Sequence, residues 1–115
     1  MAYRFQYVQT RPSTDVEWYQ FKSDSSTEWN NQSDETLTFI TDNGGTKSFS
    51  FSEDNLTWTV LVDFPNKASA DACAAACEAN NASKYGGKNV DEHPDFVAYR
   101  SANSLTFTET EVGTV

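Results

Sequence analysis

Between Leu56 and Ala79 the sequence changes its period. Leu56, Trp58, Val60, Val62 and Phe64 alternate with the more polar Thr57, Thr59, Leu61 and Asp63, which places one apolar row on one face of a β-strand. After Pro65 the stretch from Asn66 to Ala79 is dense in alanine, the best helix former, with Asn66 and Ser69 as capping candidates and Gly86-Gly87 as the stop. Ala70, Cys73, Ala74 and Cys77 share one small apolar side of that helix, which lets its backbone sit close to a sheet. A clear strand followed at once by a helix of about four turns or more restricts the fold to helices layered on a sheet.

The core of such a sandwich has to be aromatic. Leu, Ile, Val and Phe fill 21 of the 115 positions, about 18%, near the level at which chains fail to fold. The 16 Phe, Trp and Tyr residues, each able to bury roughly 150–250 Å², supply what four Leu and one Ile cannot. The 38 Ser, Thr, Asn and Gln residues interleave with these rings, and interleaving is the pattern of β-structure. Tyr3, Phe5 and Tyr7 predict a first strand ending before Arg11-Pro12. Thr36 to Thr41, with Leu37 and Phe39 on one face, reads as a second, and Asp42-Asn43-Gly44-Gly45 as the hairpin turn after it. A third strand carries Phe49 and Phe51, one of them facing inward, and turns through Ser52-Glu53-Asp54-Asn55 into the Leu56 to Phe64 run. Pro94 and Asp95 suit the first turn of a short second helix, and Leu105 to Val112 a final strand. For Thr10 to Glu35 two readings stand. Thr14-Asp15-Val16-Glu17 fits a capping box starting a helical turn with Trp18, Tyr19 and Phe21, or the region is extended; Ser23 to Glu35 reads as an exposed polar loop. The expectation is one α+β domain over residues 1–115: a single antiparallel sheet of about four to five strands, with one long and one short helix on one face.

Eight basic against seventeen acidic residues give a net charge of -9, and the basic residues are scattered singly. Direct nucleic-acid binding, which needs clustered Lys and Arg, is not expected. No apolar run approaches a membrane span, and Met1-Ala2-Tyr3-Arg4-Phe5 lacks the apolar stretch of a signal peptide, so a chain made in a cytoplasm and remaining soluble is expected.

No residue constellation identifies a reaction, and neither catalytic residues nor cofactor are assigned. Cys73 and Cys77 stand at i and i+4, which separates their Cβ atoms by about 5–6 Å where a disulfide wants roughly 3.8 Å. They are read as reduced, buried thiols in preference to a zinc site with His93. His93, the only histidine, lies among Asp91, Glu92 and Asp95 and reads as part of a solvated acidic loop ahead of a helix. The acidic turns at Asp42 and Glu53-Asp54-Asn55 lack the alternating ligands of a calcium loop, so no metal is expected. Nucleophile-elbow, phosphate-loop and dinucleotide motifs do not occur.

The order of elements resembles the ferredoxin-like α+β sandwich of the dimeric α/β-barrel superfamily, to which the antibiotic-biosynthesis monooxygenases belong. The wording of the sequence is similar to that of small proteins encoded by tailed bacteriophages of marine cyanobacteria. Tyr7-x3-Arg11-Pro12 followed by Val16-x-Trp18-Tyr19, then Phe51-Ser52-Glu53-Asp54-Asn55-Leu56-Thr57, and finally Tyr99-Arg100 leading into Leu105-Thr106 carry that resemblance. It implies a non-enzymatic structural or accessory component of the virion, in head, neck or tail, partnered by other virion proteins or by copies of itself. The alternatives are a small cytoplasmic enzyme or ligand-binding domain with an aromatic pocket between sheet and helices, and a phage-encoded modulator of a host protein. With helices on one face of the sheet, the other face is left uncovered, and Thr57, Thr59 and Leu61 are its candidate interface residues.

Overall fold

The computed structural model describes the whole chain, Met1 to Val115. Strands β1 (Tyr3–Thr10), β2 (Thr46–Phe51), β3 (Thr57–Phe64) and β4 (Thr106–Thr114) combine with helices α1 (Thr27–Asp42), α2 (Lys67–Lys84) and α3 (Pro94–Asn103). Single tight turns of helix at Tyr19–Phe21 and Val90–Glu92 precede α1 and α3. The strands lie in the order β2-β3-β1-β4, and every neighbouring pair is antiparallel. A β-α-β-β-α-β succession in that order is the ferredoxin-like arrangement, here with α3 added ahead of the last strand. The α+β sandwich read from the sequence is therefore the one observed, with four strands and one helix more than expected.

Register decides which side chains meet. Tyr3, Phe5, Tyr7 and Gln9 of β1 lie opposite Phe64, Val62, Val60 and Trp58 of β3, and this face looks toward the helices. Arg4, Gln6, Val8 and Thr10 lie opposite Asp63, Leu61, Thr59 and Thr57 on the other face. Period-2 alternation therefore holds across both central strands. Helix α2 starts where Asn66 Oδ1 accepts the Ser69 N–H at 2.9 Å, and it turns Ala70 and Cys73 into the core.

The segment before β2 corrects the sequence reading in four places. Thr36 to Thr41 is not a strand but the last turns of α1, and the expected exposed loop over Ser23 to Glu35 contains that helix's start. Read over six residues, Leu37 and Phe39 look like alternation. Over the whole helix, buried Trp29 and Gln32 with partly buried Thr36, Phe39 and Ile40 recur every three or four residues. Ser26 caps the start by accepting the Trp29 N–H at 3.2 Å. The β-branched threonines are accommodated because Thr36, Thr38 and Thr41 donate their hydroxyls to the carbonyls of Gln32, Asp34 and Leu37 one turn back. Asp42 to Gly45 is accordingly a helix end and not a hairpin turn. Gly44 has φ +77°, its N–H reaches the Thr41 carbonyl at 3.0 Å, and the Gly45 N–H reaches the Ile40 carbonyl at 2.8 Å, the two bonds of a Schellman cap. Gly45 has no room for a side chain, since a Cβ there would lie 2.6 Å from Ile40 Cγ2 and 2.9 Å from Phe64 Cε1. Between Thr10 and α1 the chain is neither an extended strand nor a helix begun at Thr14; the helical turn forms only at Tyr19–Phe21.

The core is built of rings, as composition requires. Trp58 is sandwiched between Phe51 and Phe21, with centroids at 5.5 and 5.2 Å and near-parallel planes, while Trp18 meets it edge-on at 5.8 Å. Neither Phe49 nor Phe51 is buried as expected: β2 is an edge strand, and they remain 60% and 39% exposed. A second cluster of Tyr19, Trp29 and Phe96 joins α1 to α3. Trp58→Ala should lower stability by roughly 3–5 kcal/mol in urea unfolding, because the rings around it cannot collapse into the space; an unchanged midpoint would show that this cluster is not core.

Candidate functional site

The helices are tied to one another more than to the sheet. Glu35 of α1 accepts hydrogen bonds from Asn80 Nδ2 at 2.7 Å and from Tyr85 OH at 3.1 Å, both on or just after α2. Buried Gln32 donates to Asn81 Oδ1 at 3.0 Å and to the Lys88 carbonyl at 2.7 Å, and Asn81 donates to Asn89 Oδ1 at 3.0 Å. This polar lacing joins α1, α2 and the loop after α2.

Between the two layers lies a cavity of about 600 Å³, within the range that holds small ligands. Its floor is the inner face of the sheet: Phe5, Tyr7 and Gln9 of β1, Trp58 and Val60 of β3, Phe107 and Glu109 of β4. Its roof is Trp29, Ser33 and Leu37 of α1 with Ala74 and Cys77 of α2, and Asn89 to Asp91 closes one end. The same inner row of the sheet, Val62 and Phe64 included, serves both the core and the cavity lining.

Two buried polar atoms in that lining have no partner. Gln9 and Trp58 are direct neighbours across β1 and β3, 3% and 6% exposed, and neither Gln9 Oε1 nor Trp58 Nε1 makes a hydrogen bond. Gln20 Oε1, also on the lining, is likewise unpartnered. Leaving such groups buried and unpaired costs about 1–3 kcal/mol each, a cost that an interior ligand group removes.

Tyr7, Asp91, Glu109 and the two cysteines of the cavity are held toward their neutral forms. Burial raises the Tyr7 hydroxyl well above its ordinary value, with the Glu109 carboxylate adding to it. Burial likewise raises half-buried Asp91. Glu109 is exposed along its outer side, yet desolvation of its inner side, and then Asp91, raise it too. Burial pushes the Cys73 thiol up from 9.0 to about 12 and raises Cys77 as well. Both cysteines are free, and no three His, Cys, Asp or Glu side chains converge to hold a metal ion.

His93 does not lie in a solvated loop as the sequence suggests. It is 3% exposed, its Nδ1 accepts the Asp95 N–H at 3.2 Å as the cap of α3, and its Nε2 meets Glu28 Oε1 at 2.7 Å. Both ring nitrogens are occupied outside the cavity. Thr57, Thr59 and Leu61 sit together on the opposite face of the sheet, half-buried beside Thr10, Val8 and Gln6, and have no part in the cavity. The sequence reading missed Gln9, whose signal was present: it is the polar residue in an inner row otherwise made of Tyr3, Phe5 and Tyr7. Trp29, Asp91 and Glu109 carried no such signal, because separate elements bring them together.

No protein family and no curated protein matches the sequence. Among solved structures, a dimeric ferredoxin-like protein from an uncultured marine organism is similar over 99% of this chain and 95% of its own, at 8% identity and a TM-score of 0.48. A de novo designed protein with ferredoxin fold matches over 100% and 88% of the two chains, at 11% identity and TM-score 0.43. A dimeric ferredoxin-like protein of unknown function from Thermobifida fusca matches over 96% and 92%, at 9% identity and TM-score 0.26. The fold assignment rests on the element and strand order themselves.

The thiols give a pH signature with a fixed sign. A thiol whose folded value lies near 12 against 9.0 unfolded keeps its proton in the folded chain while the unfolded chain loses it. The contribution of Cys73 to stability should therefore be constant below pH 9 and be lost as pH rises from there toward 12, so that the loss of stability over that range is smaller in Cys73→Ala. Under native conditions at pH 8, Ellman's reagent should react with Cys73 only after denaturant is added; fast native labelling of Cys73 would overturn that assignment.

Proposed function

We propose that this domain binds a small, neutral, mostly apolar molecule between its sheet and its helices, without transforming it. The observation that supports this best is the cavity of about 600 Å³ between sheet and helices, lined by the rings of Phe5, Tyr7, Trp29, Trp58 and Phe107. A lining of rings with a few polar anchors is the usual chemistry of a ligand pocket. Lys47 is the one basic residue lining it, against Glu78, Asp91 and Glu109, which disfavours anions. Binding without catalysis fits a site whose thiols are held protonated and whose chain's one imidazole is engaged elsewhere.

Titration with the neutral dye Nile red should enhance dye fluorescence and quench Trp29 and Trp58, and Ala74→Phe or Cys77→Phe, which fill the roof, should abolish both. An intact fold that never takes up the dye, or variants that bind as the parent does, would sink the reading. Gln9→Leu should raise the thermal midpoint, because it removes an unpaired buried carbonyl. A lowered midpoint would make Gln9 a structural group and not an anchor.

The open face of the sheet supports a second role beside the first. Val8 and Leu61 lie there among a field of threonines, with the Arg4–Asp63 ion pair at 2.7 Å toward one corner. We propose this face, through Thr57, Thr59 and Leu61, as a contact with other subunits. Those are copies of the same chain or, as the phage resemblance implies, other virion proteins. Light scattering should show a particle larger than one chain that Leu61→Lys dissociates, and peptides at fixed copy number in purified phage particles would support the virion form. A monomer unaffected by Leu61→Lys would remove the contact.

A further inference from the structure

We infer that Cys73 and Cys77 form a dithiol site that captures a trivalent organoarsenical, with arsenic bridging the two sulfurs and its organic group lying in the cavity. The place of the organic group rests on the ligand-binding reading above. The two residues stand one turn apart on the same side of α2, and both line the cavity. Ala70 and Ala74, the small residues that share that side, line it as well. Cys73 is 5% exposed, Cys77 is half-buried, and both are free. Burial is the main cause that raises both thiols, and after it the two act on each other, side chain to side chain, so their sulfurs are neighbours.

The spacing selects the ligand. Cβ atoms at i and i+4 lie about 5–6 Å apart, too far for a direct S–S bond, but a single atom placed between the sulfurs spans the gap. Zinc needs four ligands, and no third His, Cys, Asp or Glu side chain joins the pair. A copper(I) ion between two thiolates carries a net negative charge, which burial and the carboxyl groups of Glu78, Asp91 and Glu109 in the lining oppose. Trivalent arsenic bearing one organic group takes two sulfurs and gives a neutral product, so the burial that holds the thiols protonated does not oppose it. Each sulfur displaces one hydroxyl group from R–As(OH)2, and the thiol proton leaves with it as water. Two As–S bonds replace two As–O bonds, two waters are released, and arsenic stays trivalent, so no oxidant or reductant takes part. The third bond of arsenic carries the organic group into a lining of rings, where Phe5 and Tyr7 on the facing sheet suit an aryl group.

Native mass spectrometry of the folded chain with phenylarsine oxide tests this, in parallel with Nile red uptake. The parent should bind one arsenical per chain, release it to excess ethanedithiol, and lose Nile red as it binds. Phenylarsonic acid, which has the same ring but pentavalent, anionic arsenic, should not bind, and this control leaves the protein unaltered. Cys73→Ser and Cys77→Ser should each hold the arsenical at least about a hundredfold more weakly, because the second sulfur no longer closes the bridge. Binding of equal strength in either variant, or an adduct that forms only after denaturant is added, would overturn the dithiol site and leave the ligand-binding reading standing. An adduct that leaves Nile red uptake unchanged would place the organic group outside the cavity and overturn the inference. Failure of the parent to take up Nile red would instead overturn the ligand-binding reading itself.

Discussion

Trp58 held between Phe21 and Phe51, with Trp18 against its edge, is the contact on which the rest of this fold depends, because it joins the irregular segment before α1, which lies in no strand, to the paired strands β2 and β3. The irregular segment before α1, the edge strand β2 and the central strand β3 meet in this one stack. A chain with four Leu and one Ile has few other means of closing a core. Rings bury large areas, but they are flat and stiff, and they leave gaps that branched aliphatic side chains would fill.

The cavity follows from that composition. The sheet offers large rings and the facing side of α2 offers Ala70, Cys73, Ala74 and Cys77, while the helices are laced to each other by Glu35, Gln32, Asn80 and Asn81. Nothing in that lacing rewards collapse onto the strands. A helix layer stabilised by its own polar bonds can stand above a sheet and leave a space that close packing would otherwise remove.

The same space explains where stability is given up. Gln9, Gln20 and Trp58 each hold a polar atom away from water without a partner, which lowers stability unless another molecule supplies the missing bond. Such losses are not confined to the lining, since Trp18 Nε1, Gln32 Oε1 and Arg100 Nε are also buried without partners away from it.

Much of the architecture was legible without coordinates. The alternation from Leu56 to Phe64, the alanine-rich helix begun at Asn66 and Pro94 at the head of a short helix all act through neighbours a few residues away. Helix α1 was not legible, since its threonines carry strand propensity and become helical only when their hydroxyls bond back to the previous turn and Trp29 and Gln32 find partners on α2 and beyond. Gln9 was visible as a polar residue in an aromatic row, but what it faces was not. By itself the sequence determined an aromatic α+β sandwich, one open sheet face with Thr57, Thr59 and Leu61, and reduced cysteines on a small helix face, because each depends on local periodicity and side-chain size. Only the tertiary structure decided that Trp29, Asp91 and Glu109 come together around a cavity between the layers, because that depends on contacts between residues far apart in the chain, which no local period records.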